Sequence, residues 1–299
     1  MNAEDEPDLQ TGAEQGQENI DRVLNSSLPN LPGREEKRQR LAARRSRTKR
    51  RKIKTAIILI ILIVASTTTI QTVWAWSQCG GPLAPKDSPV PTKGIALIDE
   101  LQWQHPNPEF VQTVRAAAAQ AGYSFDYYPP NTATVDFFAS LPRQAYAMII
   151  FRTHGSADLV PDRTSPSIAT NEPYTQYNHL NDQLLDRVTA LNVNRTRVFA
   201  ITPSYITSDM CGRFPGTLIL AMWCTGGQWT SLADAFIQKG ARAYIGWNGP
   251  VTVTHTDQAF ARLVGLLAQG DGVDSSIRNT MAQTGPDPFT GAELTHYPA

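Results

Sequence analysis

A cysteine at the end of an apolar run is the first candidate for chemistry in this chain. The run 218–223 is unbroken and leads into Cys224, which is followed by Thr225, Gly226 and Gly227. Such a run, bounded by turn residues, is typical of a strand buried on both faces of a parallel sheet. Open α/β sheets bind ligands at the carboxyl ends of such strands. We therefore expect Cys224 at that edge, with the backbone amides after it free to face a substrate carbonyl oxygen.

A histidine follows a second run of the same kind. Residues 146–151 predict another buried strand, after which come His154 and Gly155. Neighbouring strands lie about 4.8 Å apart, so side chains at two adjacent strand ends can meet. A nearby imidazole produces the thiolate that a cysteine nucleophile needs. Taken singly, Cys224 reads as a small buried residue and His154 as a hydrogen-bonded loop residue. The two strand ends and the glycines together favour a His/Cys pair.

The elements around these two strands alternate between strand and helix. Apolar runs predict further strands at 94–99, 124–128 and 241–247, and apolar periodicity predicts helices at 109–122, 134–141, 231–240, 256–270 and 275–283. This alternation indicates an α/β fold with a mostly parallel sheet and helices on both faces. The stretch 156–217 is less regular, with a Pro/Ser/Thr-rich loop expected at 161–177, an amphipathic helix at 179–191 and a short strand at 198–202. Long excursions of this kind are commonly functional.

The chain before this domain is strongly segregated in charge. Between residues 34 and 54 there are 12 Lys/Arg and 2 acids, whereas from residue 77 onward 14 basic and 18 acidic residues give 14 − 18 = −4. Residues 1–54 are predicted to be a disordered, basic, cytoplasmic segment, and 77–93 a Pro/Gly-rich stalk. The uncharged residues 55–76 are predicted to cross a membrane as a helix. A cleaved signal peptide is the competing interpretation, and the segment's distance from the N-terminus favours a retained anchor.

Several classes of function are not indicated by the sequence. The basic run next to the apolar segment is interpreted as a determinant of topology and lipid contact, which leaves residues 94–299 outside the cytoplasm. No nucleic-acid motif or phosphate-binding loop occurs, and the remaining histidines lack metal-ligand spacing, so no nucleic acid, cofactor or metal is expected. Three cysteines exclude a disulfide-rich scaffold. Cys79 could pair with another chain, pair with Cys211 or stay unpaired.

The blocks around His154 and Cys224 resemble the caspase–legumain–gingipain superfamily of cysteine peptidases, including CHAT-type domains. The resemblance covers roughly residues 94–285, and it continues past the cysteine through C-T-G-G, LADAFIQKGARAYIGW, a helix and GVDSSIR. It implies a caspase-like fold and a catalytic dyad of His154 and Cys224. The amides of Gly155 and Cys224 would then form the oxyanion hole. Trp223 departs from the pattern, because members usually carry a small residue before the cysteine.

The resemblance also locates the pocket for the residue before the scissile bond. Its expected residues follow the first and fifth predicted core strands: Asp99, Glu100, Trp247 and Asn248. A carboxylate in that pocket would select Arg or Lys by charge pairing. The alternative for Asp99 is a solvated acid or a helix N-cap at the strand end. Two further acids could supply the charge instead: Asp158 and Asp209.

The sequence thus predicts a single-pass, membrane-anchored, extracytoplasmic cysteine endopeptidase. Its expected partner is a peptide or protein substrate, with a preference for cleavage after basic residues, and the sequence makes no prediction of oligomeric state. The alternative is a catalytically inactive caspase-like binding or assembly module. Trp223 favours this alternative if its indole crowds the pocket.

Overall fold

The computed structural model describes residues 33–78, 92–157 and 166–298. The chain divides into two units, residues 1–72 and 73–299, and the long helix α1 (Arg34–Gln78) runs across the division. Residues 34–54 are therefore helical, contrary to the predicted disorder, because the Arg, Lys, Glu, Gln and Ala that dominate them are strong helix formers. The disorder predicted for residues 1–32 and the stalk predicted for 79–91 lie outside the described residues.

The segment predicted to cross a membrane, residues 55–76, lies within α1. Within the described part of the chain, no helix is both long enough and apolar enough for a membrane crossing. The membrane crossing by residues 55–76 stays a prediction. The extracytoplasmic location, which depended on it, stays a prediction.

The second unit is built from alternating strands and helices. Its strands are β1 (Thr92–Asp99), β2 (Ser124–Tyr128), β3 (Tyr146–Arg152), β4 (Gly155–Ala157), β5 (Pro166–Pro173), β6 (Val188–Val193), β7 (Thr196–Ile201), β8 (Leu218–Ala221), β9 (Ala243–Trp247) and β10 (Leu294–Tyr297). Its helices are α2 (Pro108–Gln120), α3 (Val135–Ser140), α4 (Leu180–Leu184), α5 (Pro203–Ser208), α6 (Thr230–Gln238), α7 (Val253–Ala268) and α8 (Val273–Thr284).

Six of these strands form the main sheet, in the order β10-β9-β8-β3-β1-β2. All neighbours pair in parallel except β10, which runs antiparallel to β9. Each strand sends alternate apolar side chains to opposite faces, as Phe151 and Ile150 do in β3. Helices α3, α5 and α6 cover the Phe151 face, and α2, α7 and α8 cover the Ile150 face. The mostly parallel sheet with helices on both faces is confirmed.

The stretch 156–217 contains a second sheet instead of the predicted helix and loop. Strands β4, β5, β7 and β6 form it in that order, all antiparallel. The helix predicted over 179–191 is wrong, because α4 ends at Leu184 and β6 pairs with β7 from Val188 onward. Asn194 and Arg195 both have positive φ, as a two-residue hairpin turn requires. Strand β5 likewise occupies the middle of the predicted loop 161–177.

Candidate functional site

Strands β3 and β8 are neighbours in the main sheet, and their register relates the positions at which His154 and Cys224 follow them. They pair from Met148 with Leu218 to Phe151 with Ala221, and the amide of Met222 extends the ladder by donating to Phe151 O at 3.0 Å. His154 and Cys224 each follow three residues after the last pair, 154 − 151 = 3 and 224 − 221 = 3. Both therefore follow the carboxyl edge of the sheet by the same number of residues.

Cys224 is exposed and carries a free thiol. Its Sγ donates to the carbonyl oxygen of Val251 and accepts from the amide of the same residue, both at 3.5 Å. No hydrogen bond joins Sγ to the imidazole of His154, although both residues are described, and catalytic hydrogen bonds are often long before substrate binds. Cys211 is disulfide-bonded, and Cys79 lies outside the described residues.

The imidazole of His154 is partly buried and has one side-chain partner. Its Nε2 lies 2.9 Å from Oε1 of Gln104. Its backbone carbonyl accepts from the amide of Ala169 at 2.9 Å, which fixes the residue to β5 of the second sheet. Burial, together with the nearby charge of His105, lowers the pKa of His154. A lowered pKa keeps the ring neutral near pH 7, which is the state that can accept a proton from a thiol.

The amides that follow Cys224 are already engaged. Thr225 donates to Gly249 O at 2.8 Å, Gly226 to Trp223 O at 3.2 Å, and Gly227 to Trp247 O at 2.8 Å. The expectation that these amides are free is therefore wrong, because two of them attach the turn to the end of β9 and the residues after it, and the third closes the turn on Trp223. The amide of Cys224 itself makes no hydrogen bond within the described residues. Of the amides from Cys224 to Gly227, it is the donor left for a substrate oxygen.

Trp223 packs its indole into the core beneath the candidate dyad. Its side chain is 3% exposed, and its ring meets those of Phe151 and Tyr244 edge-on, with centroids 6.3 Å apart in both pairs. A Cβ on Gly155 would overlap the indole, so the ring lies against the backbone that follows His154. The indole therefore fills the core on the Phe151 face of the sheet and leaves the neighbouring thiol exposed.

The first acid predicted for the substrate pocket, Asp99, is held in a buried ion-pair network. Its Oδ1 accepts from Nη1 of Arg152 at 2.7 Å, and its Oδ2 accepts from the hydroxyl of Tyr127 at 3.2 Å. Arg152 is fully buried and also binds Asp257 through Nε and Nη2, both at 2.8 Å. The carboxylate of Asp99 is thus already paired inside the protein, which favours a structural role over substrate binding.

Glu100, the second predicted acid, is also buried but only half satisfied. One carboxyl oxygen, Oε2, accepts from the hydroxyl of Thr153, and the other, Oε1, has no partner. Burial raises the pKa of Glu100 well above its ordinary value, and the nearby charge of Asp99 adds to this. Thr153 immediately precedes His154, so an unsatisfied carboxyl oxygen lies under the candidate site.

The other two predicted pocket residues contact the protein itself. Trp247 is fully buried, and its Nε1 donates to Oγ1 of Thr256 at 2.8 Å. Asn248 is exposed at the end of β9, where its Oδ1 accepts from the amide of Glu293 at 2.8 Å. Both contacts attach neighbouring segments to β9.

Three residues that the sequence did not indicate also contribute to the site: Gln104, Val251 and Asn194. Gln104 and Asn194 are exposed polar residues in turns, and no spacing rule connects either with His154. The two acids named as alternatives for the substrate pocket are not placed there by the structure. Asp209 pairs with Arg187 at 2.9 Å, and Asp158 lies outside the described residues. Among the residues that the structure describes, no group of acids, cysteines and histidines is arranged to hold a metal ion.

Comparison with known proteins shows similarity to a solved structure, but none to a protein-family profile or to a curated protein. No protein-family profile matches this chain, and no curated protein matches it. Among solved structures, it is similar to the complex of Porphyromonas gingivalis RgpB pro- and mature domains, with 9% sequence identity and a TM-score of 0.40. The match covers 65% of this chain, which spans 45% of that one.

Proposed function

We propose that this chain is a cysteine endopeptidase with a caspase-like α/β fold, in which Cys224 is the nucleophile and His154 the general base. The observation that carries the proposal is the register of β3 and β8, because His154 and Cys224 follow the last strand pair by the same number of residues. Two further features support it. The thiol is free and exposed, and burial lowers the pKa of His154, which favours the neutral ring that a general base requires.

The proposed reaction follows from these groups. The imidazole of His154 takes the thiol proton, and the Cys224 thiolate attacks the scissile carbonyl carbon. The amides of Cys224 and Gly155 donate to the oxyanion that develops. His154 then returns the proton to the leaving amine, which leaves an acyl-enzyme. Water, deprotonated by the same imidazole, hydrolyses the thioester and restores the thiol.

For the substrate, we propose cleavage after basic residues, with Glu100 as the acid that meets the positive side chain. The support is the unpartnered Oε1 of Glu100, whereas the carboxylate of Asp99 is already bound to Arg152. A guanidinium or ammonium group would supply the missing donor and favour the ionised carboxylate.

The test uses the full chain and peptidyl acyloxymethyl ketones with Arg, Lys, Leu or Asp as the first residue. We expect labelling of Cys224 by the Arg and Lys probes, and its complete loss in Cys224→Ala. His154→Ala is expected to slow hydrolysis by on the order of 10²–10⁴-fold, the usual contribution of a positioned base. Labelling that persists in Cys224→Ala would contradict the proposed nucleophile, and equal labelling by all four probes would contradict the proposed preference.

A second candidate, a catalytically inactive binding or assembly module, is favoured by one observation. The thiol of Cys224 is hydrogen-bonded to the backbone of Val251 and not to His154. In such a module the two residues would be packing groups. Peptides would then bind with equal affinity to the wild-type chain and to Cys224→Ala, and neither would cleave them.

A further inference from the structure

The amide side chain of Gln104 is the group that contacts the catalytic imidazole of the proposed peptidase. Gln104 lies just after a single 3₁₀ turn, Leu101–Trp103, that follows β1. Its backbone N–H donates to Leu101 O at 3.0 Å. Its Oε1 lies 2.9 Å from Nε2 of His154. An amide oxygen can only accept, so Nε2 must carry the ring proton. Nδ1 of the neutral ring is then the nitrogen with a free lone pair.

A second amide orients Gln104. Nδ2 of Asn194 donates to the same Oε1 at 2.5 Å. Asn194 occupies the turn between β6 and β7, where it and Arg195 both have positive φ, a conformation that asparagine tolerates better than most residues. The same sheet begins with Gly155, immediately after His154. The second sheet thus begins at the residue after His154. Its β6–β7 turn places Asn194 in contact with Gln104, the residue that contacts the His154 imidazole.

We propose that Gln104, oriented by Asn194, is a positioning residue that fixes His154 as the Nε2–H tautomer and presents Nδ1 to Cys224. This inference rests on the proposed function. In the proton transfer, the Sγ–H bond breaks and an Nδ1–H bond forms, which yields a thiolate and an imidazolium. The Nε2–H bond stays directed at the amide oxygen throughout, and the Nδ1 proton later passes to the leaving amine.

A neutral amide suits this position better than a carboxylate. The amide dipole supports the imidazolium when it forms, but it adds no full negative charge that would protonate the ring in the resting state. The base therefore stays neutral near pH 7 while its ring orientation is fixed. A glutamate at the same place would raise the pKa of the ring, so that a larger share of it would be cationic and unable to accept the thiol proton.

The test combines kinetics with a readout of the ring itself. In the full chain, Gln104→Ala is expected to lower kcat, within the roughly 10²–10⁴-fold that a positioned base contributes, and to leave KM little changed. Gln104→Glu is expected to move the acid limb of kcat/KM to higher pH. Asn194→Ala is expected to act in the same direction as Gln104→Ala but less strongly. The matched controls are Gln102→Ala, in the same turn, and Asn192→Ala, in the same hairpin, and neither should change these quantities.

Ring nitrogen shifts in ¹⁵N-histidine NMR spectra give the outcome that does not require activity. The wild-type His154 is expected to show the Nε2–H tautomer, and Gln104→Ala a mixture of tautomers. If the chain hydrolyses no peptide but this change is seen, the positioning of the ring stands and the peptidase proposal fails. If the chain is active and Gln104→Ala alters neither the tautomer nor the pH profile, Gln104 has no positioning role.

Discussion

Gly155 lies against the indole of Trp223, so closely that a Cβ at position 155 would overlap Cδ1 and Nε1 and fall 2.6 Å from Cγ. The two residues adjoin the candidate dyad, since Gly155 follows His154 and Trp223 precedes Cys224. The large residue before the cysteine is therefore accommodated by a glycine after the histidine. This contact joins the ends of β3 and β8 through packing as well as through the strand ladder.

The contact predicts that Gly155→Ala destabilises the fold by about 1–3 kcal/mol, the usual cost of overpacking a filled core. Trp223→Phe, which shortens the ring at this contact, should reduce that cost, with a coupling of roughly 0.5–3 kcal/mol between the two changes. Urea unfolding of both single variants and of the double variant measures the coupling. The matched control is Gly265→Ala in α7, where a Cβ meets nothing within 4 Å. That change should stabilise the helix by about 0.5–1 kcal/mol, and strictly additive effects at 155 and 223 would contradict the prediction.

Arg152 is predicted to be the most sensitive charged residue of the second unit. It is fully buried between Asp99 and Asp257 and also donates to His105 O at 2.8 Å. Arg152→Met would leave two buried carboxylates without a cation, at a cost of about 3–5 kcal/mol in the free energy of unfolding. The triple variant Arg152→Met, Asp99→Asn, Asp257→Asn should recover part of this loss, because it removes the uncompensated charges.

Arg278 provides the control for this measurement. It is an exposed arginine on α8, so Arg278→Met should change the free energy of unfolding by no more than about 0.5 kcal/mol. Equal effects of the two arginine substitutions in chemical denaturation would refute the special role of Arg152.

The sheet and the two strand ends that precede His154 and Cys224 could be predicted because both depend on local patterns. The apolar runs that end before His154 and Cys224 mark buried strands, and parallel strands place their carboxyl ends on one edge. The roles of the neighbouring acids could not be predicted in this way. Asp99 pairs with Arg152, 53 residues later, and with the side chain of Asp257 through that arginine. No local pattern in the sequence records such a partnership.

The hairpin β6–β7 was missed for a related reason. Residues 179–191 have apolar spacing that fits a helix, but Val188–Val193 gains a full ladder of pairing with β7. That pairing depends on the Asn194–Arg195 turn, whose left-handed backbone the residue types permit but do not require. Because the turn was missed, its Asn194 contact with Gln104 could not be anticipated either.

Glu100 predicts a pH dependence of stability with a definite sign. Burial raises the pKa of Glu100 in the folded protein. The contribution of Glu100 to the free energy of unfolding is therefore complete below the unfolded-state pKa of about 4.3. That contribution is lost as pH rises toward the folded-state pKa, because the unfolded chain ionises first. Glu100→Gln keeps an acceptor for Thr153 and removes the ionisation. The variant should therefore gain stability over the wild type as pH rises from 4 to 8, as measured by urea unfolding.

The same variant separates stability from the proposed specificity. If Glu100 meets a basic substrate side chain, Glu100→Gln should weaken labelling by Arg and Lys probes while the protein becomes more stable at neutral pH. A stability difference that is the same at every pH would show that Glu100 does not titrate as its burial requires. Asp271→Asn, at an exposed acid between α7 and α8, is the control and should show no such trend.

Asp287 is predicted to hold the loop that contacts the Cys224 thiol. Its Oδ2 accepts from the amide and hydroxyl of Thr252, both at 2.8 Å, next to the residue whose backbone binds Sγ. Its Oδ1 accepts from the amides of Phe289 and Thr290, at 3.0 and 3.1 Å. Although burial opposes the charge, these hydrogen bonds lower the pKa of Asp287 in the folded protein. The contribution of Asp287 to the free energy of unfolding is thus present above the unfolded-state pKa of about 3.9 and is lost as pH falls below it.

Asp287→Asn replaces one accepting oxygen with a donor that faces other donors. We expect a loss of about 1–3 kcal/mol at pH 7 for the buried group left unpaired, together with a smaller decline in stability between pH 4 and pH 2 than in the wild type. Because Thr252 adjoins Val251, the rate at which iodoacetamide alkylates Cys224 should change in the same variant. Unfolding curves across this pH range and the alkylation rate measure both effects. A variant that is destabilised but keeps the wild-type alkylation rate would restrict Asp287 to a purely structural role.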